Sequence, residues 1–343
     1  ASDVYKRQDL DKRLLLDKID FENGTVNVEG TVYPLNDTFF PTIDPNNPYE
    51  LTEDERAVMN SLSASIINSE RLQTHIRYMF SHGALYKRIN GNLLFHGCIP
   101  MDENGDFLPV DIYGAKCAGR ALMDHLDKQI RASYFTPEKI KKYGKAGDLM
   151  WYLWLAKDSP LFGKEKMTTF ERLFIDDKAS HKEHVRPYYK LINSKEPCEK
   201  ILREFGLDPS HSKILNGHVP VKIKNGESPI KGGGLLYVID GGISKAYQKQ
   251  TGIAGYTFIF NSRFMALAEH KPYEPLREDG TQKFFSPSMK TVDTLKTRML
   301  VIDTDEGAEL LRQAEAVKRL VEAYKTGEIK ERPEGKYSAY KGK

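Results

Sequence analysis

Leu93-Leu94-Phe95-His96-Gly97-Cys98-Ile99-Pro100 and Ile214-Leu215-Asn216-Gly217-His218-Val219-Pro220-Val221 share one local grammar. In each, an apolar run of strand character leads to a histidine beside a glycine, and a proline follows in the next loop. A strand end projects its side chains into the cleft above a sheet, and the glycine lets a metal or a phosphate approach the backbone. Neutral imidazole is the commonest metal ligand, so two such ends can share one ion. The histidines stand 122 residues apart, a separation that a sandwich closes easily. From spacing alone, the pair fits either two ligands of one ion or two satisfied turn histidines.

Working outward from these two stretches, the chain reads as a mixture of strands and amphipathic helices, an α/β composition. Upstream, Asn90-Gly91 between two apolar runs is a hairpin signature that ends on His96. Downstream, KILNGHVPVKI, GGLLYVIDGG, AGYTFIFNS and RMLVID (298–303) read as consecutive sheet strands bounded by glycine or polar turns. Phe21 to Pro34 reads as a further hairpin, and 39–50, with three prolines, excludes a helix. Thr52 and Glu55 form a capping-box pattern before apolar positions from Val58 to Phe80, which predicts a continuous or broken helix ending near Gly83. Residues 112–134 read as helical, with Leu122, Leu126 and Ile130 at spacing four, another helix is predicted to start at Thr136-Pro137, and 171–213 reads as helix and loop. Leu310, Ala314, Val317, Val321 and Tyr324 mark a last amphipathic helix stopping near Gly327.

The 343 residues suffice for one large domain with insertions or for two. Charged residues make up 29% of the chain, mean hydropathy is −0.54, and no apolar run nears the roughly 20 residues of a membrane span. Membrane insertion is excluded on that ground. A net charge of +3 with interspersed signs leaves no nucleic-acid footprint. Cys98, Cys117 and Cys198 show no paired spacing, which fits a reducing cytoplasm better than a disulfide framework. The charged N-terminus lacks an apolar signal core, and its first eight residues are set aside from the fold.

Other motifs carry weaker signals. His181-Lys182-Glu183-His184 is not a zinc-protease motif and reads as a solvated face. Gly226 to Gly234 fails as a phosphate loop, because Lys231 precedes the triple glycine and Pro229 removes an amide donor, so a hairpin loop is expected. Asp240, before two glycines, reads as a ligand, a substrate contact or a turn residue. Lys157, Asp158 and Ser159 could face a phosphate or form an ordinary charged loop, and Arg186 and Lys190 carry the same two readings.

Taken together, FHGCIP, GDLMWYLW, SPLFGK, MTTFERLFI, NGHVPVK, PIKGGG, YVIDGGISKAYQKQTGIAGYTFIFNS and the earlier FPTID and NPYELT closely resemble one family. It is the class III fructose-1,6-bisphosphatases of bacteria, within the calcineurin-like metallophosphoesterases, and the likeness runs from about Asp9 to about Ile329. The resemblance implies a β-sandwich flanked by helices, here incomplete, with a dinuclear divalent site whose metal is expected to be manganese. It implies His96 and His218 as metal ligands, and Lys157, Ser159, Arg186 and Asp240 are carried as substrate-binding candidates. The implied reaction is hydrolysis of fructose 1,6-bisphosphate to fructose 6-phosphate and phosphate in gluconeogenesis. The expected partner is thus a sugar bisphosphate in the cytoplasm, with no nucleic acid or membrane, and self-association into a homo-oligomer stays open. Phosphoprotein or other phosphoester hydrolysis, and a non-catalytic regulatory or assembly module, are the rival readings.

The departures matter as much. The DxH, GDxxDRG and GNH[DE] motifs that supply the remaining ligands and the catalytic histidine of such sites do not occur, so no catalytic residue is assigned in this chain. Since the family places them before the first histidine motif, the chain is expected to be a C-terminal portion, inactive alone. The implied organisation is a family-specific helical part over 1–83, the phosphoesterase part over 84–303 with an insertion at 160–212, a helix over 304–330 and a disordered tail over 331–343.

Overall fold

The computed structural model of the chain describes residues 13–136, 146–242, 244–272, 279–280 and 287–330. The expected disordered tail, the first eight residues and the helix start beyond Thr136 lie outside them. In chain order the strands are β1 (Ile19–Asp20), β2 (Thr25–Val28), β3 (Thr31–Pro34), β4 (Tyr86–Ile89), β5 (Asn92–Phe95), β6 (Val110–Ile112) and β7 (Ala115–Cys117). Then come β8 (Ile214–Asn216), β9 (Ile230–Lys231), β10 (Leu236–Val238), β11 (Gly255–Phe260), β12 (Phe264–His270) and β13 (Ser288–Thr294). The helices are α1 (Glu53–Ile67), α2 (Glu70–His82), α3 (Gly119–Phe135), α4 (Ala146–Leu155), α5 (Thr169–Phe174), α6 (Tyr188–Leu191), α7 (Lys195–Glu204), α8 (Lys245–Thr251) and α9 (Asp305–Lys325). The mixed α/β composition matches the sequence expectation.

A five-stranded sheet in the order β4-β5-β8-β10-β9 positions the site. β5, β8 and β10 run parallel, with Leu93, Ile214 and Leu236 in one row and Phe95, Asn216 and Val238 in another. The edge strands β4 and β9 are antiparallel to their neighbours. β8 and β10 are buried at every position, as expected of central parallel strands covered on both faces. Covering side chains include Phe205, whose ring meets Tyr86 of β4 edge-on at 4.7 Å, and Tyr188 of α6, which meets Phe95 of β5 at 6.1 Å. α3 buries Leu122, Met123 and Leu126, and α7 buries Cys198, Ile201 and Leu202. A smaller sheet, β1-β2-β3, closes over Leu15, Val26, Val28 and Ile175.

Of the described residues, those within 1–256 and 269–286 form one compact unit, and those within 257–268 and 287–343 form a second. The second contains most of the β11-β12-β13 sheet and α9.

The hairpin turns follow their chemistry. Glu29-Gly30 and Asn90-Gly91 take left-handed backbone in two-residue connections, as Asn90-Gly91 predicts. The capping box forms, with Glu55 N–H donating to Thr52 Oγ1 at 3.3 Å and Thr52 N–H to Glu55 Oε2 at 2.9 Å. The predicted helix after it breaks at Asn68-Ser69. Within 226–234, β9 is followed by the Gly232–Gly234 turn that leads into the antiparallel β10, a hairpin as the sequence predicts.

RMLVID is a correction: Val301–Asp303 is an exposed 3-10 turn, not a strand. Asp303 Oδ2 accepts from Leu300 N–H at 2.8 Å and the Asp303 N–H donates back to Leu300 O at 3.0 Å, so a local side-chain bond outcompetes a ladder. Among the described residues, no helix is long and apolar enough to cross a membrane.

Candidate metal centre

Because β5 and β8 are adjacent and parallel, the residues that follow them emerge at the same sheet edge. Ligands of open α/β sheets gather at such carboxyl ends. His96 follows Phe95 directly, and His218 follows Asn216 by one glycine. Their rings come together edge to face at 4.9 Å, with His96 Nε2 3.1 Å from His218 Nδ1. The structure thus joins the two histidines singled out in the sequence.

Gly97 is required by close approach. A Cβ on Gly97 would collide with the Pro160 carbonyl, whose oxygen accepts from Cys98 N–H at 2.8 Å. A Cβ on Gly217 would meet the His96 ring and carbonyl at 3.4 Å, an ordinary contact, and Gly217 N–H donates to His96 O at 3.0 Å. Asn216, only 1% exposed, turns its amide Nδ2 toward Gly97 O at 2.7 Å and His96 O at 3.0 Å, with Phe95 O at 3.4 Å.

His218 itself has φ of +67°, and Val219 N–H donates to Gly217 O at 2.8 Å. That is a three-residue turn of the strained hand centred on a non-glycine residue. Such strain costs of order 1–3 kcal/mol and persists where the surroundings over-determine it.

The ring environment selects a tautomer. His218 Nε2 lies 3.0 Å from Phe162 O, and a carbonyl only accepts, so Nε2 carries the proton and Nδ1 keeps its lone pair toward His96. A metal-ligating histidine is oriented in the same way by a carbonyl on its other nitrogen. Burial lowers the His218 pKa, with the His96 and Lys164 charges acting in the same direction against the Phe162 bond and Asp240. The net shift favours the neutral imidazole, the form that ligates.

The donor set fits a divalent ion in part. Two nitrogens bound at about 2.1 Å to one ion stand about 3.0–3.4 Å apart, and 3.1 Å lies in that span. Among the described residues, no group of three or more His, Cys, Asp or Glu that could hold a metal occurs. His96 and His218 therefore form one edge of a coordination sphere.

The remaining candidates are distributed differently. Ser159 is fully buried, its hydroxyl donating to Leu153 O at 2.7 Å and accepting from Leu161 N–H at 3.2 Å, so it staples the turn and does not face the cleft. Arg186 is half-buried between Asp158 at 3.1 Å and Glu165 at 3.7 Å. Lys157 is exposed just beyond α4. Asp240 accepts from Gly242 N–H at 2.8 Å, the expected turn, while its charge acts on His218. The 181–184 segment is a solvated face only at Lys182 and His184: His181 Nε2 lies 2.8 Å from Ile175 O, and Glu183 pairs with Lys164 at 2.9 Å. Cys98 is inert, since burial pushes its thiol up to about 12.

Sequence reading missed Asn216, Lys164 and the Phe162 carbonyl. Lys164 lines a cavity of about 620 Å³ with His96, His218, Phe80, Leu153 and Phe162, whose walls are mostly apolar. Only a buried polar residue ahead of Gly-His at a strand end could have pointed to Asn216.

The description "Firmicute fructose-1,6-bisphosphatase" belongs to the family whose model matches residues 4–326. The class 3 fructose-1,6-bisphosphatase of Clostridium botulinum (strain Alaska E43 / Type E3) is 51% identical over 328 residues, covering 94% of this chain and 49% of that protein. The protein of the same name from Clostridium tetani is 50% identical over 326 residues, with 94% and 49% covered. That of Fusobacterium nucleatum is 47% identical over 325 residues, with 94% and 50% covered. The chain spans about half the length of the curated relatives it matches. No solved structure matches. With a match running through both histidine turns and nearly the whole chain, this protein belongs to the Firmicute fructose-1,6-bisphosphatase family.

Proposed function

We propose that this chain contributes one side of the active site of a sugar bisphosphatase that hydrolyses fructose 1,6-bisphosphate to fructose 6-phosphate and phosphate, a step of gluconeogenesis. The observation that supports it most is the facing of His96 Nε2 and His218 Nδ1 at 3.1 Å across two parallel strand ends, within a chain of this family. In this reading the sheet belongs to a calcineurin-like sandwich, and His96 and His218 hold one ion of a dinuclear manganese site. Divalent ions bound there would supply Lewis acidity toward the phosphate oxygens and the attacking water.

The chain's own residues supply position and charge. Phe162 O fixes the proton on His218 Nε2 and aims the other nitrogen at the site. Lys164, beside both histidines in the cavity wall, adds positive potential where a phosphate would arrive. Lys157 is exposed three residues beyond Trp154 of that wall, and Asp240 supplies a carboxylate whose charge reaches His218. Arg186 holds the 158–165 loop through its two carboxylates.

A second reading, a module without activity of its own, draws on the two-donor limit among the described residues. Phosphate-monoester hydrolysis is among the slowest uncatalysed reactions, so two donors of a larger set leave little rate. Both readings meet in one experiment: phosphate release from fructose 1,6-bisphosphate with manganese, by this chain alone and by this chain mixed with the unmatched portion of a relative. The expected result is no turnover alone and turnover when complemented. Equal or faster release from a phosphopeptide would overturn the substrate, and no turnover in any mixture would leave the module reading standing.

A further inference from the structure

The two histidines share one neighbour whose bonds go to the backbone of the His96 turn rather than to either ring. Asn216 ends β8, in register with Phe95 on one side and Val238 on the other. All three backbone oxygens near its Nδ2 can only accept, so the amide orientation is fixed by the network, with the NH₂ toward His96 and Gly97 and the oxygen toward Tyr188. Tyr188 donates from its hydroxyl to Asn216 Oδ1 at 3.2 Å and is fully buried, which pushes its pKa well up and keeps the phenol a donor.

Those carbonyls need the help. The backbone at His96 and Gly97 leaves the β ladder, and buried carbonyls that lose ladder partners must find others. Gly217 N–H takes one bond to His96 O, and the Asn216 amide supplies the rest. The same residue's backbone oxygen accepts from Ile239 N–H at 2.9 Å, tying it into the next strand. One side chain therefore grips the peptide that carries His96, while its own chain, two residues on, carries His218.

We propose that Asn216 is the positioning residue that sets the separation of the His96 and His218 ring nitrogens, anchored from behind by Tyr188. This rests on the metal-site reading for its consequence, while the separation itself is a property of the metal-free chain. An aspartate at 216 would keep the shape but face carbonyl oxygens with a charge, and an alanine would free the His96 turn. Removal of partners that orient metal ligands lowers affinity by about 10–100-fold.

The test uses this chain with manganese as the probe, together with ring-nitrogen chemical shifts of the two histidines without metal and circular dichroism for the fold. Asn216→Ala is expected to keep its helical signal, to move the His96 Nε2 and His218 Nδ1 resonances, and to weaken manganese binding about 10–100-fold. Tyr188→Phe is expected to move the same resonances less and to weaken binding roughly three-fold. Unmoved resonances and unchanged manganese affinity in a folded Asn216→Ala protein overturn the proposal. Should that variant not fold, unmoved resonances in Tyr188→Phe overturn it equally. His96→Ala and His218→Ala separate the underlying reading: if neither alters manganese binding, the metal site fails, and the resonances still decide the role of Asn216.

Discussion

Helices α1 and α3 carry the same kind of pattern and meet opposite fates. In α3, Leu122, Met123 and Leu126 recur on one face and are buried. In α1, Val58, Met59, Leu62 and Ile66 recur at similar spacing, behind a complete capping box, and all are exposed. Leu126 is 0% exposed and Leu62 is 55% exposed. α9 repeats the α1 case in the second unit, where Leu310, Val317, Val321 and Tyr324 are exposed. Hydrophobic periodicity thus declares that a face is apolar, and local capping makes the helix, but neither names what the face packs against.

The largest expected effect breaks or upholds that contrast directly. Leu126→Ala should cost about 2–5 kcal/mol, the transfer term plus the cavity left in a packed site. Leu62→Ala should stay within about 0.5 kcal/mol, as exposed substitutions do. Urea unfolding of both variants at two protein concentrations checks this. A Leu62→Ala cost equal to that of Leu126→Ala, growing with concentration, would show that the α1 face is covered by association in solution.

The same contrast explains which parts of the molecule were legible. The His-Gly pairs were readable because a strand end, a titratable ring and a glycine coincide in sequence. Asn216 was not, because Asn-Gly reads as a turn and its bonds go to carbonyls 119 to 121 residues away. The β6–β7 hairpin was absorbed into the helix predicted over 112–134, though Tyr113-Gly114 takes the left-handed backbone of a tight turn. β12 escaped notice because Met265, Ala266, Leu267 and Ala268 are all buried, which removes the alternation that marks a half-buried strand. Composition could not say that Ser159 faces inward, since the hydroxyl is satisfied by the turn it sits in.

Strain divides the two regions as well. The well-packed strand ends hold His218 at φ +67°, whereas the caps of α1 are relaxed. His218→Ala and His218→Gly both remove the ring and its bonds to His96 and Phe162, but only glycine adopts that backbone freely. The glycine variant should therefore be more stable than the alanine variant by about 1 kcal/mol, read by thermal or urea unfolding, while neither binds manganese like the parent chain. Equal stabilities would mean that the turn relaxes once the imidazole is gone, and that the ring, not the surroundings, holds the strain.

The smallest effect concerns charge, and it sets a half-buried carboxylate against an exposed one. Burial works to raise the Glu183 pKa, but the Lys164 bond at 2.9 Å and the Thr168 donors, N–H at 3.1 Å and hydroxyl at 3.0 Å, overrule it, and the net shift is downward from 4.5. A carboxylate held down in the folded state contributes stability that is fully present above its unfolded pKa and is lost as pH falls through the lower folded value. Glu183→Gln should lower the melting temperature at pH 7 and make its decline below about pH 4.5 shallower, so that variant and parent converge in acid. Glu309, paired with Arg312 at 2.6 Å on the exposed face of α9, should give no such change when replaced by glutamine, because a solvated pair is worth little. Melting curves from pH 7 to pH 3 decide it: parallel curves for Glu183→Gln and parent would mean that the clamp beside Lys164 is as loosely held as the exposed pair.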